Sequence, residues 1–120
     1  MKITLELMKS WNADADGINR FAAHPELEGA EHTHVCSVLE ADGASLWSVW
    51  VRCNVAQHGS DEDRKALRGD PSSLVRYALA ECGSEEDCLA LLDDSNVRVR
   101  GAVAKRCNQE LSDRKENDDE

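Results

Sequence analysis

The dipeptide Val-Arg recurs at Val51-Arg52, Val75-Arg76 and Val99-Arg100, two intervals of 24 residues. A fixed period of this length is the mark of stacked repeats, in which no unit has a core of its own and each buries its apolar face on a neighbour. With Val as position 0, position +4 reads Val55, Leu79, Val103 and position +5 reads Ala56, Ala80, Ala104. Position +3 reads Asn54, Ala78, Ala102. Apolar residues at 0, +3, +4 and +5 mark one face of a short helix, and the alanines permit close approach between units.

The period extends past the helix. Gly59-Ser60 and Gly83-Ser84 lie 24 apart, while Asn108 stands near the third equivalent. The glycines read as left-handed helix ends and the serines as caps for a following segment. That segment opens with Asp61-Glu62-Asp63 in one unit and Glu85-Glu86-Asp87 in the next. Carboxylates there suit the positive end of a helix dipole. Leu67 and Leu91 close each unit at +16. Asp70 precedes Arg76 by six residues, as Asp94 precedes Arg100, whereas Leu46 precedes Arg52. This pattern favours a polar ladder tying neighbouring units; the alternative is an arginine row that binds phosphate or acidic side chains.

The segment Asp70-Pro71-Ser72-Ser73-Leu74-Val75-Arg76-Tyr77-Ala78-Leu79-Ala80 resembles HEAT-like repeats. The 24-residue spacing over residues 46–111 is similar to the leucine-rich repeat variant family. That resemblance implies one α-helix and one 3₁₀ helix per unit. It also brings an iron–sulfur cysteine cluster in many members, which this chain lacks. The predicted fold is all-α: a short helical-repeat solenoid (46–111), an N-terminal helical cap (1–45) and a disordered acidic tail (112–120).

In the cap, Thr4 is placed to start a helix through Ser10, although Ile3, Leu5 and Leu7 also alternate as in a strand. Further helices are expected near residues 16–24, 35–42 and 45–57, with Pro25 and Asp42-Gly43 as breaks. Trp47 and Trp50 read as a lid over the open end of the stack, or as anchors for a partner. Ile3-Thr4-Leu5-Glu6-Leu7 with Asn12-Ala13-Asp14-Ala15-Asp16-Gly17-Ile18-Asn19-Arg20-Phe21 resembles a leader of small bacteriophage and prophage proteins. That leader commonly reads N-A-C-x-x-G-x-x-x-F, and Asp14 replaces its Cys. The resemblance implies an origin on a mobile element.

Composition narrows the function. The net charge is −10, which disfavours a direct nucleic-acid binder. There are three basic and eight acidic side chains in residues 1–50, nine and ten in 51–107, two and six in 108–120. The acid is thus concentrated at the ends. No apolar run approaches the roughly 18 residues of a membrane span, and the first residues lack signal-peptide character. A cytoplasmic location is expected, with Cys36, Cys53, Cys82, Cys88 and Cys107 reduced.

No catalytic constellation, phosphate loop or cofactor site is legible. His32, His34 and Cys36 form the one metal-like cluster, short of a fourth ligand; the plainer reading is a loop entering a helix. The favoured expectation is a non-catalytic module that binds a basic or nucleic-acid-binding protein. It would do so through Asp61, Glu62, Asp63, Glu85, Glu86 and Asp87, with Trp47 and Trp50. Joined to the leader, this suggests an inhibitor of a host nucleic-acid-handling complex, of anti-CRISPR or anti-restriction type. The alternatives are a HEAT-like DNA-binding repeat protein and a metal-binding protein using His32, His34 and Cys36.

Overall fold

The computed structural model describes the backbone of residues 1–118 and the side chains of residues 1–108. It is mostly helical. Strand β1 (Lys2–Ile3) pairs antiparallel with β2 (Ala30–Glu31), setting Lys2 opposite Glu31 and Ile3 opposite Ala30. Between them lie α1 (Leu5–Ser10), α2 (Ala15–Ala22) and a 3₁₀ turn at Pro25–Leu27. The helix reading holds, since Leu5 and Leu7 both lie in α1; of the alternating Ile3, Leu5 and Leu7 only Ile3 is in a strand. Ile3 ends the strand, and Thr4 caps α1 by accepting from the Leu7 N–H at 3.0 Å. Asp14 caps α2 in the same way.

Helix α3 (His32–Ala41) starts three residues before the expected 35, and α4 (Ser45–His58) follows a turn at Gly43, where φ is +76°. Next come α5 (Asp61–Ala66), α6 (Ser73–Cys82), α7 (Glu85–Ala90) and α8 (Val97–Asp118). The longer helices α3, α4, α6 and α8 pack in succession. Their facing side chains make one continuous core. Val51, Val75 and Val99 are fully buried at equivalent positions, as are Val55 and Leu79 at +4, and Val103 is nearly so. Leu67 and Leu91 are buried beneath the short helices.

Two features of the period differ from expectation, for stated reasons. Gly59 and Gly83 are extended, with φ of −75°, and are not left-handed. Space is what requires glycine here. A Cβ on Gly83 would sit 2.6 Å from the Leu79 carbonyl oxygen and 2.9 Å from Asp87 Cβ; on Gly59 it would sit 2.6 Å from the Val55 oxygen. The third unit carries Cys107-Asn108 at this point, and α8 does not break there. It continues through Asp118, into the segment expected to be a disordered tail; residues 119–120 lie outside the described residues.

Candidate functional site

The arginines are committed to the scaffold. Arg52 Nε lies 2.8 Å from Asp70 Oδ2, and Arg76 Nε lies 2.8 Å from Asp94 Oδ2. Each arginine thus reaches the aspartate of the following unit. It also holds its own unit: Arg76 Nη1 donates to the Asp70 carbonyl and Arg100 Nη1 to the Asp94 carbonyl, both at 2.6 Å. Where Leu46 replaces the aspartate, α3 supplies Glu40, 3.0 Å from Arg52 Nη1. Burial acts to raise the Asp94 pKa, but the Arg76 hydrogen bond and the Asn96 N–H outweigh it and hold the carboxylate below its ordinary range. The row is a ladder of side chains already paired, with no open phosphate cradle at Arg52 or Arg76.

The six candidate acids divide into two sets. Ser60 caps α5 and Ser84 caps α7, each in a reciprocal capping box with the third acid of its triplet. Asp63 and Asp87 are thereby turned inward. Asp63 accepts from the Met1 ammonium at 3.0 Å, and that ammonium also meets Glu31 Oε2 at 2.9 Å. Burial works to lower the ammonium pKa; the bonds to Glu31 and Asp63 outweigh it and leave the pKa raised. Asp87 is 1 % exposed and accepts from Arg68 Nε at 2.8 Å. Burial pushes its pKa up, but the Ser84 N–H and Arg68 hold it below the usual value. These two carboxylates are structural, which corrects their place among the partner-binding candidates.

Asp61, Glu62, Glu85 and Glu86 remain exposed, and they line one open groove between α5 and α7 of about 410 Å³. Asp61 and Glu85, like Glu62 and Glu86, lie 24 residues apart in sequence, in the first turns of α5 and α7. Lys65 and Arg68 share the groove. Neither recurs at the 24-residue spacing, since 89 and 92 are both leucine, so no periodic signal marks them.

Trp47 and Trp50 are half-buried at the junction of the N-terminal segment with α4. Trp47 Nε1 donates to Asp16 Oδ2 at 2.7 Å, and its ring covers Gly17, where a Cβ would come within 2.5 Å of it. Trp50 meets Trp47 and Trp11 edge-on, with ring centres 5.3 and 6.1 Å apart, and Trp11 stacks on His58. The tryptophans thus join two parts of the chain, and Trp47 and Trp50 are not among the residues that line the α5–α7 groove.

His32, His34 and Cys36 all lie on α3, contrary to the expected loop; His32 and Cys36, four residues apart, share its inner face and His34 points away from them. His32 and Cys36 are buried, while His34 is exposed. His32 Nδ1 is 3.0 Å from the Met1 ammonium, and burial followed by that positive charge lowers its pKa. Cys36 Sγ donates to the Ser48 carbonyl at 3.6 Å, and burial pushes its pKa up. Among the described residues no group of three His, Cys, Asp or Glu side chains is arranged to hold a metal, and no helix is long and apolar enough to cross a membrane. Comparison with known protein families, characterised proteins and solved structures finds no match.

Proposed function

We propose that this chain is a non-catalytic, helical-repeat binding module that grips a basic protein surface through the α5–α7 groove. The observation that carries this reading is the convergence of Asp61, Glu62, Glu85 and Glu86 on one exposed groove, Asp61 with Arg64 at 2.8 Å and Glu86 with Arg68 at 4.0 Å, while Asp63 and Asp87 are turned inward by capping and ion pairs. Exposed carboxylates of one sign steer and select a partner of the other sign. The 24-residue register supplies the support: units in the style of HEAT-like or leucine-rich repeat variant proteins hold α5 and α7 side by side. The phage-like leader directs the choice of partner toward a host nucleic-acid-handling complex, inhibited by occupation of a surface meant for phosphate. The paired state of Arg52 and Arg76 weighs against the DNA-binding alternative.

The test is capture from a bacterial host lysate on the immobilised chain, with Asp61→Asn/Glu62→Gln/Glu85→Gln/Glu86→Gln as the comparison. Recovery of a basic protein on the native chain and its absence from the variant supports the reading. Recovery of no partner, or equal recovery on both, rejects it.

A further inference from the structure

We propose that Cys107 and Cys88 form a peroxide-sensing thiol pair, whose oxidation ties α7 to α8 by a disulfide. This device rests on neither the acidic groove nor a binding partner.

The pair arises where the repeat departs from its own register. Arg64 and Cys88 occupy the same place in successive units, 24 residues apart. Arg64 Nη1 donates to the Gly59 carbonyl of its own unit at 2.7 Å. Cys88 has no guanidinium with which to repeat that bond. The equivalent carbonyl, that of Gly83, instead accepts at 2.7 Å from Arg106 Nη1, which reaches in from α8. The same Nη1 lies 3.1 Å from the Ala80 oxygen and 3.3 Å from Cys88 Sγ. A cation is thereby held against the sulfur of a residue that is only 6 % exposed. A guanidinium beside a sulfur favours the thiolate, which is the nucleophilic form.

Cys107 follows Arg106 in the chain and comes one helical turn after the buried Val103. It is exposed. Cys88 and Cys107 line one cleft between α7 and α8, together with Glu85, Leu89, Leu92 and Arg106. Residues 85, 88, 89 and 92 have the spacing of a single helix face. The cleft holds about 50 Å³, room for about two waters. Drawing its walls together is a small movement for α7, a helix of six residues. Cys82 is also exposed, but it does not line this cleft.

Oxidation runs in two balanced steps. The solvent-facing Cys107 sulfur attacks hydrogen peroxide. The O–O bond breaks, hydroxide leaves and takes the thiol's proton as water, and Cys107 becomes a sulfenic acid. The Cys88 thiolate then attacks the Cys107 sulfur. The S–S bond forms, the S–O bond breaks, and the departing hydroxide takes the Cys88 proton as a second water. Two thiols are oxidised and one peroxide is reduced. Arg106 acts in the second step, by stabilising the attacking thiolate.

Peptide mapping by mass spectrometry, without reductant, tests this on the full, pre-reduced chain treated with hydrogen peroxide. The expected result is loss of two titratable thiols per chain and a peptide cross-linked between Cys88 and Cys107. Both changes should reverse with dithiothreitol, and helical content should be retained. In Cys88→Ser, Cys107 should stop at the sulfenic acid, which dimedone traps. In Cys107→Ser, the Cys88 thiol should survive the same treatment. Arg106→Gln should slow disulfide formation and raise the trapped sulfenic acid, while Cys82→Ser should leave the yield unchanged. A folded chain that keeps both thiols would overturn the proposal. So would a Cys107 linked mainly to Cys82 or to a second chain, or a disulfide that forms at the native rate in Arg106→Gln.

Discussion

Arg76 and Arg100 make the same 2.6 Å bond to a backbone carbonyl, 24 residues apart, but Arg76 adds a carboxylate and Arg100 has no such ion pair among the described residues. Their removal should therefore differ in cost. Arg76→Ala strands Asp94, whose side chain is 7 % exposed, and is expected to destabilise by about 3 kcal/mol, the usual cost of breaking a buried pair. Arg100→Ala should cost under about 1 kcal/mol, as for a surface interaction. Urea unfolding of both variants checks this, and equal losses would contradict the ladder. The sequence showed the Asp–Arg spacing of six, and with it the presence of a ladder. It did not show that each arginine reaches forward to the next unit's aspartate. That pairing depends on how α6 and α8 stack. The Arg68–Asp87 pair was not legible for a different reason: Arg68 is absent from the period, so nothing distinguished Asp87 from its exposed neighbours.

At the scale of elements, helix boundaries follow from caps and steric room. Gly83 is held 2.7 Å from the Leu79 oxygen by its own N–H, which leaves no space for a side chain. Gly83→Ala should cost about 1–3 kcal/mol, the range for overpacking a tight site. Thermal melts should show this loss, and an unchanged melting temperature would reject the steric reading. The converse change is also informative. Cys107→Gly/Asn108→Ser installs the turn signal that the third unit lacks, and NMR chemical shifts should then show reduced helicity around residue 107. Unchanged shifts would mean that the Gly-Ser pair is not what ends α4 and α6. The sequence located these turns correctly from periodicity but misread the glycine conformation, because a cap glycine required for close approach looks the same in sequence as one required for positive φ.

Over the whole molecule, inward-turned carboxylates set the acid limit of stability. Asp63, Asp87 and Asp94 all have folded pKa values below the ordinary 3.8. A group with a depressed folded pKa contributes its stability above the unfolded value and loses it as pH falls through the folded one. The melting temperature should therefore drop steeply as pH falls below about 4, and Asp87→Asn should shallow that drop. His24 acts in the opposite direction: its hydrogen bond to Asp42 raises its pKa, so its small contribution is present below the ordinary 6.5 and fades as pH rises through the raised value.

The same inward turn changes the candidate site at this scale, from six acids to the four that line the α5–α7 groove. Comparing two variants of equal net charge isolates their role most directly. One neutralises Asp61, Glu62, Glu85 and Glu86; the other neutralises the exposed Glu6, Glu26, Glu81 and Asp93. Titration calorimetry with the captured partner should show binding lost in the first and retained in the second. Equal weakening in both would mean that the overall charge of the chain, and not this groove, attracts the partner.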